Sequence, residues 1–322
     1  MEKTNCAVKE ESMITIAITG SSGLVGSALR HRLEADGHKV VRIIHGDRTN
    51  PAATWDPATG WIREGAFSGC DALVHLAGES IGDGRWTESR KHKLRASRID
   101  ATRLLVDYLG SIADGPKVLV AASAVGYYGD RGDEQLTEQS GKGSGFLADL
   151  VEDWEAESLR AKEFGVRTAV LRFGIVLAKD GGALPRMMLP FKLGAGGKLG
   201  SGRQWMSWIV LDDLVSVLHR AVMGDFEGVY NAVSPNPARN SEVAKTLGRA
   251  MHRPSLIPAP KFALKLLLGE SAEELLFFSQ RVYPTRLIAA GFPFAHPDLG
   301  EALASILHRG DAVATGTTES AR

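Results

Sequence analysis

Short apolar runs alternate with longer stretches of helical periodicity through the first half of the chain. Residues 14–19, 39–44, 72–76, 117–122 and 168–173 are brief, nearly continuous apolar segments, the pattern of strands buried on both faces. After the first run, Ala28-Leu29-Arg30-His31-Arg32-Leu33 has helical spacing and stops at Asp36-Gly37. Further helices are expected from about residue 89 to 109 and from about 146 to 163, the latter ending near Gly165. Strands and helices alternating in this way predict an α/β fold with a Rossmann-type doubly wound parallel sheet. The alternation stops after Leu177, where Asp180-Gly181-Gly182 and the glycine-rich residues 193–202 form loops around a helix at 187–193. A strand at 205–210, a helix at 212–223 and a mostly helical, proline-punctuated end follow. The expected division is a sheet domain at 13–177 and a smaller, mainly helical C-terminal substrate lobe at 178–310, free to share strands or helices with it. Residues 1–12 and 311–322 are polar or small-residue extensions expected to be disordered.

The first strand runs into Gly20-Ser21-Ser22-Gly23-Leu24-Val25-Gly26, a strand-to-helix turn with the spacing TGxxGxxG. Gly20 permits the tight turn, Gly23 removes a side chain where a pyrophosphate approaches, and Gly26 lets the helix pack closely on the sheet. Phosphates would sit on unpaired N–H groups at the positive helix end. In such folds an acidic residue about 20 positions on accepts the ribose 2′-hydroxyl of NAD, and a basic setting accommodates the 2′-phosphate of NADP. Here His45 stands 19 residues past Gly26, after Ile44, with Arg42 and Arg48 close by. That favours NADP(H) over NAD(H), against which Asp47 stands two residues away; Arg48 also reads as an ordinary solvated loop residue. The third strand ends in Leu76-Ala77-Gly78, small residues suited to close approach of a ribose, and these are cofactor contacts by expectation. His75 before them reads as a core histidine rather than a catalyst. In the basic stretch 90–98, an ordinary solvated helix face by its composition, Lys93 and Arg98 are the candidates to turn toward phosphate or ribose.

Composition narrows the partners. Lys plus Arg and Asp plus Glu number 38 each, so net charge gives no reason for a nucleic acid or an anionic membrane as partner. Cys6 and Cys70 show no pairing context, which fits a reducing compartment, and Cys70 reads as a small buried apolar residue. No run of about 18 apolar residues and no secretory signal pattern occurs, so the expectation is a cytoplasmic protein acting on a small molecule. No HExxH, paired CxxC or carboxylate loop points to a metal.

Taken in order, the TGxxGxxG, His75-Leu76-Ala77-Gly78-Glu79, Gly84-Arg85-Trp86, Ser97-Arg98-Ile99-Asp100-Ala101-Thr102, Ser123-Ala124-Val125-Gly126-Tyr127-Tyr128-Gly129, Asp153-Trp154-Glu155 and residues 200–209 resemble the atypical branch of the extended short-chain dehydrogenase/reductases, the epimerase-like "epimerase family" proteins. The resemblance covers about residues 13 to 308, including a C-terminal segment peculiar to the branch. It implies a Rossmann domain with a small substrate lobe, NADP(H) binding and a homodimer. Active members of the wider superfamily orient substrate with a Ser or Thr and move a proton with the tyrosine of a Tyr-x-x-x-Lys. Ser123 matches the orienting hydroxyl at an offset one residue longer than usual, but Phe146 and Leu150 stand where the tyrosine and lysine belong. Phenylalanine transfers no proton and leucine holds no ribose. Tyr127 or Tyr128, in the loop after the fourth strand, is the candidate replacement, with a packed structural ring as the competing reading for either. Asp149, Asp153 and Glu155 offer carboxylates on the neighbouring helix, where such groups are mostly at the surface.

In the second lobe, residues 198–208 combine backbone freedom with Arg203, a fork for phosphate or carboxylate, and the flat faces of Trp205 and Trp208. These three are the substrate candidates, against a reading in which the tryptophans anchor the lobe and Arg203 is solvated. Two functions remain open. One is an NADP(H)-dependent oxidoreductase or epimerase for a small carbonyl or nucleotide-sugar-like substrate. The other is a non-catalytic NADP(H)-binding sensor or regulatory protein, which the Phe146 and Leu150 replacements suggest.

Overall fold

A computed structural model describes residues 13–46, 48–52 and 54–308, so the expected leader and tail, and Asp47, lie outside the described residues. The six-stranded sheet is built from β1 (Thr15–Thr19), β2 (Lys39–Ile43), β3 (Ala72–His75), β4 (Val118–Ala124), β5 (Arg167–Phe173) and β8 (Gly228–Ala232). Two further strands, β6 (Ile175–Ala178) and β7 (Trp208–Val210), belong to a separate small sheet. The order across the main sheet is β8-β5-β4-β3-β1-β2, every pair parallel. From β1 the chain turns to one side for β2 and to the other for β3. That reversal opens a crevice at the carboxyl ends of β1 and β3, the place where such sheets take ligands.

Alternation along the strands explains the two covering layers. Ile16 and Ile18 point into one core with Val74 of β3, whereas Ala17 and Leu73 point into the other. Helices α1 (Leu24–Ala35) and α6 (Leu211–Met223) cover the first face, packed against each other through Leu29, Leu33, Leu214 and Leu218. Burying each such leucine contributes about 1.5–3 kcal/mol. On the second face lies α3 (Ala101–Ser111), whose Leu105 and Leu109 sit on Leu119 and Val170. The expected 89–109 helix is broken: α2 (Glu88–Arg95) runs into a π turn at Ala96–Asp100 before α3. Helix α4 (Phe146–Leu159) starts where the pattern placed it and ends, through a 3-10 turn, at the left-handed Gly165.

The second half is interwoven with the first. Leaving β5, the chain passes Gly174, where a Cβ would lie 2.7 Å from the Ser207 carbonyl oxygen, and this bare position lets β6 pair with β7. The expected strand 205–210 is two pieces. Trp205–Met206 pairs with Ala238–Arg239, while β7 pairs with β6. Helix α5 (Leu184–Lys192), α7 (Asn240–Ala250), α8 (Lys261–Leu268) and α9 (Leu299–His308) complete this part. No helix among the described residues is long and apolar enough to cross a membrane.

Candidate functional site

Thr19 ends β1 and ties the crevice together. Its hydroxyl accepts the N–H groups of Leu76 and Ala77 at 3.1 and 3.2 Å and lies 2.7 Å from His75 Nδ1. His75 Nε2 is 3.0 Å from the Thr102 hydroxyl, so both ring nitrogens are engaged. Burial, reinforced by the Arg98 charge, pushes the imidazole down to about 4. His75 is a neutral core histidine at neutral pH, bonded on both sides between Thr19 and Thr102 beneath the crevice floor.

Gly20 follows with φ +66°, and a Cβ there would lie 2.8 Å from the Leu76 carbonyl carbon. At Gly26 a Cβ would stand 2.2 Å from the Gly20 oxygen, which forbids any side chain. Gly23 is the N-cap of α1, with no side-chain cap and no acidic residue in the first turn. The turn therefore presents uncapped N–H groups and the positive end of a helix to the crevice, flanked by Ser21, Ser22, Leu24 and Val25. These residues fit a pyrophosphate.

At the end of β2, Ile44 is anchored through its N–H to the Thr54 hydroxyl at 2.6 Å, and His45 is exposed, 3.8 Å from Asp56 Oδ1. Asp56 is the acidic neighbour that sequence reading missed, brought back by the 55–62 hairpin. Its oxygens already accept the Ala58 N–H and the Thr59 hydroxyl. Arg42 Nε donates to the Ser21 hydroxyl at 3.3 Å, which sets a guanidinium against the glycine turn, and Arg48 stacks over Trp61.

On the far side of the turn stand Leu76, Ala77 and Gly78. Arg98 lies against Gly78, where a Cβ would meet its guanidinium at 3.5 Å, and it stacks on Trp154. The π turn directs it there, and it donates to the carbonyl oxygen of Glu79 at 3.0 Å. Burial and then the Arg90 charge pull it down to about 10, still protonated at neutral pH. The Glu79 carboxylate is paired with Arg90 instead, so Arg98 is a charge without an ion-pair partner among the described residues. Lys93 is exposed on α2.

Beyond the nucleotide end, a row of polar residues crosses three strands. Ser123 on β4, Arg172 on β5 and Asn231 on β8 are register neighbours at the carboxyl edge. Glu155 of α4 receives Arg172 bidentately, Nε to Oε1 at 2.7 Å and Nη2 to Oε2 at 2.6 Å, with side chains only 5% and 7% exposed. Burial works against the Arg172 charge, but the Glu155 hydrogen bonds and charge outweigh it and hold the guanidinium above its ordinary value. The Ser123 hydroxyl also donates to Glu155 Oε1, at 2.5 Å, and is thereby directed into this network. Tyr128 is fully buried, its oxygen 2.8 Å from Asn231 Oδ1 and 2.9 Å from Arg172 Nη1, and burial pushes its phenol up. It is a strut. Tyr127 differs: half-buried, it stacks on the Arg172 guanidinium, 3.5 Å from the ring centre, and its hydroxyl meets no protein partner among the described residues. Glu155, expected at the surface, is buried because Arg172 needs it; a charged residue inside the apolar 168–173 run was the available signal.

Phe146 and Leu150 sit in an apolar cluster with Trp86, Leu94, Ile99 and Trp154. In the second part, Arg203 is exposed and Trp205 donates its indole N–H to Asp133 at 2.7 Å, with Arg239 and Arg281 both about 4.5 Å from its ring centre. Trp208, expected to offer a ligand face, is instead 2% exposed and bonded to the Asn236 carbonyl.

A family model described as NAD dependent epimerase/dehydratase family matches residues 16–232, and one described as Domain of unknown function (DUF1731) matches residues 259–306. An epimerase family protein of Mycobacterium leprae is 42% identical over 291 residues, spanning 89% of this chain and 94% of its own. The crystal structure of human epimerase family protein SDR39U1 (isoform 2) with NADPH is 33% identical, with a TM-score of 0.80, covering 92% of this chain and 99% of the human one. UDP-glucose 4-epimerase of Thermotoga maritima, solved with UDP-glucose, has a TM-score of 0.74 over 94% of this chain and 100% of its own, but at 17% identity it shares the fold alone.

Proposed function

The chain belongs to the NAD-dependent epimerase/dehydratase family, in the atypical branch of the extended short-chain dehydrogenase/reductases, and from that premise we propose an NADP(H)-dependent oxidoreductase or epimerase for a small carbonyl or nucleotide-sugar-like substrate. The observation that carries the reading is the Gly20–Gly26 turn, whose uncapped helix end and sterically closed glycine positions suit a pyrophosphate. NADP(H) is preferred over NAD(H) because Arg42 and Arg48 flank the exposed His45, and the human relative was solved with NADPH. Arg98 supplies a further cation beside Gly78. Once bound, the nicotinamide supplies hydride donor and acceptor chemistry.

In this reading the Tyr127 hydroxyl holds or releases the substrate proton, because it is a phenol at the carboxyl edge with no partner among the described residues, and Arg172 fixes its ring. Ser123 and Tyr128 keep that edge rigid. Arg203 and Trp205 would meet the anionic end of a nucleotide-sugar-like substrate. The setting is the cytoplasm, with the protein as a homodimer. A second reading, a non-catalytic NADP(H) sensor, is favoured by one observation: Ser123 is already committed to Glu155, and Phe146 and Leu150 offer no proton. Screening NADPH oxidation and NADP+ reduction against carbonyls and nucleotide sugars separates the two. Turnover that Tyr127→Phe abolishes supports the enzyme; NADPH binding with no turnover on any substrate supports the sensor.

A further inference from the structure

Everything that the first two turns of α4 present to the crevice is apolar. Phe146, Leu147 and Leu150 pack with Trp86 and Ile81 from the loop after β3, with Leu76 and Phe173 at the strand ends, and with Leu275. Leu275 is the outlier in sequence, coming from a π turn at Glu273–Phe277 in the C-terminal segment. Its position is imposed by its neighbour. Glu274 accepts the N–H groups of both Phe146 and Leu147 at 2.8 Å, capping α4 with a carboxylate from 128 and 127 residues away. The same segment is tied to the loop and helix on the other bank: Arg85 donates to the Leu266 carbonyl at 3.0 Å, and Lys91 pairs with Glu270 at 2.6 Å. Residues 266–275 thus cross from α2 to the start of α4, with Leu275 closing against Phe146.

We propose that this C-terminal segment selects the substrate: Leu275, seated by Glu274, completes with Phe146, Leu147 and Ile81 an apolar wall that takes aliphatic or aromatic aldehydes and ketones rather than a sugar ring. The inference rests on the NADP(H) reading above and names the substrate class of that site. A sugar presents a hydroxyl on nearly every carbon, and each one pressed against these side chains gives up its water without gaining a partner. A flat or aliphatic carbonyl compound gains contact over its whole surface. Ile81, Phe146, Leu147 and Leu275 are each half-buried, so this is a rim still able to gain contact.

The test is calorimetric titration of the full chain saturated with NADP+, the oxidised form that leaves the carbonyl ligands unreduced. Benzaldehyde and cyclohexanone should bind, and UDP-glucose should bind no more tightly than UDP. Leu275→Asn and, from the other bank, Ile81→Asn should each weaken benzaldehyde binding about tenfold, while NADP+ affinity stays within about twofold and Leu275→Met retains most of the benzaldehyde affinity. UDP-glucose binding about tenfold tighter than UDP, or benzaldehyde binding indifferent to both Asn variants, overturns the proposal. Saturable NADP+ binding with no aldehyde or ketone bound sinks this inference alone. Failure to bind NADP+ sinks the function on which it rests.

Discussion

Replacing Arg172 with methionine removes four interactions at once. Two are charge-assisted bonds to Glu155 at 2.7 and 2.6 Å, one is the 2.9 Å bond to Tyr128, and the last is the stack under Tyr127. What remains is a buried carboxylate with Ser123 as its side-chain donor. Removing one partner of a buried ion pair costs about 3–5 kcal/mol, because the surviving charge is left uncompensated. An exposed pair such as Arg30–Glu34, with side chains 27% and 43% exposed, contributes about 0–1 kcal/mol and serves as the internal control. Urea unfolding followed by tryptophan fluorescence should therefore show Arg172→Met destabilised several times more than Arg30→Met. Adding Glu155→Gln to Arg172→Met should recover part of the loss, since the stranded charge is gone. A loss under about 1 kcal/mol for Arg172→Met, or a double variant worse than the sum of the singles, would refute the buried network as the support of the crevice.

His75 makes stability depend on pH. Its folded value of about 4 lies below the ordinary 6.5, so the unfolded chain takes up the proton first as pH falls. The stabilisation is complete above about pH 6.5, declines toward pH 4 and is lost below it, a span of about 3 kcal/mol. Unfolding curves at pH 7 and 4.5 should show this decline, and a histidine NMR titration placing His75 near 6.5 would remove its cause. Arg98→Leu should weaken NADPH binding about tenfold while changing the stability of the cofactor-free protein by no more than about 1 kcal/mol, because it removes a cation that makes no ion pair among the described residues. A large loss of stability with unchanged NADPH affinity would make Arg98 structural.

The crevice was legible in the sequence and much of its far end was not, for reasons that particular residues show. Strands buried on both faces leave an apolar signature that needs no partner to be read, and the glycine turn follows from local sterics at Gly20 and Gly26. By contrast, the run Gly228-Val229-Tyr230-Asn231-Ala232 is no clearer than a loop until β5 pairs with it. Ser207 splits the expected 205–210 strand because its hydroxyl donates to the Gln280 carbonyl and accepts the Val282 N–H, partners more than seventy residues away. Glu155 reads as a surface carboxylate on its own helix, and only Arg172 on β5 turns it inward. Tyr127 and Tyr128 are adjacent and chemically identical, and a 3-10 turn at Val125–Tyr128 decides which is buried. Glu274 reaches α4 from the C-terminal segment, a contact that no local pattern announces.

Whether a nicotinamide dinucleotide sits in the Gly20–Gly26 turn with its 2′-phosphate beside Arg42 is read by fluorescence titration of the purified protein with NADPH and NADH. NADPH should bind saturably and at least about tenfold tighter than NADH, and both should be lost in Gly26→Ala, whose Cβ would stand 2.2 Å from the Gly20 oxygen. NADH binding as tightly as NADPH would contradict the preference, and binding untouched by Gly26→Ala would contradict the site itself.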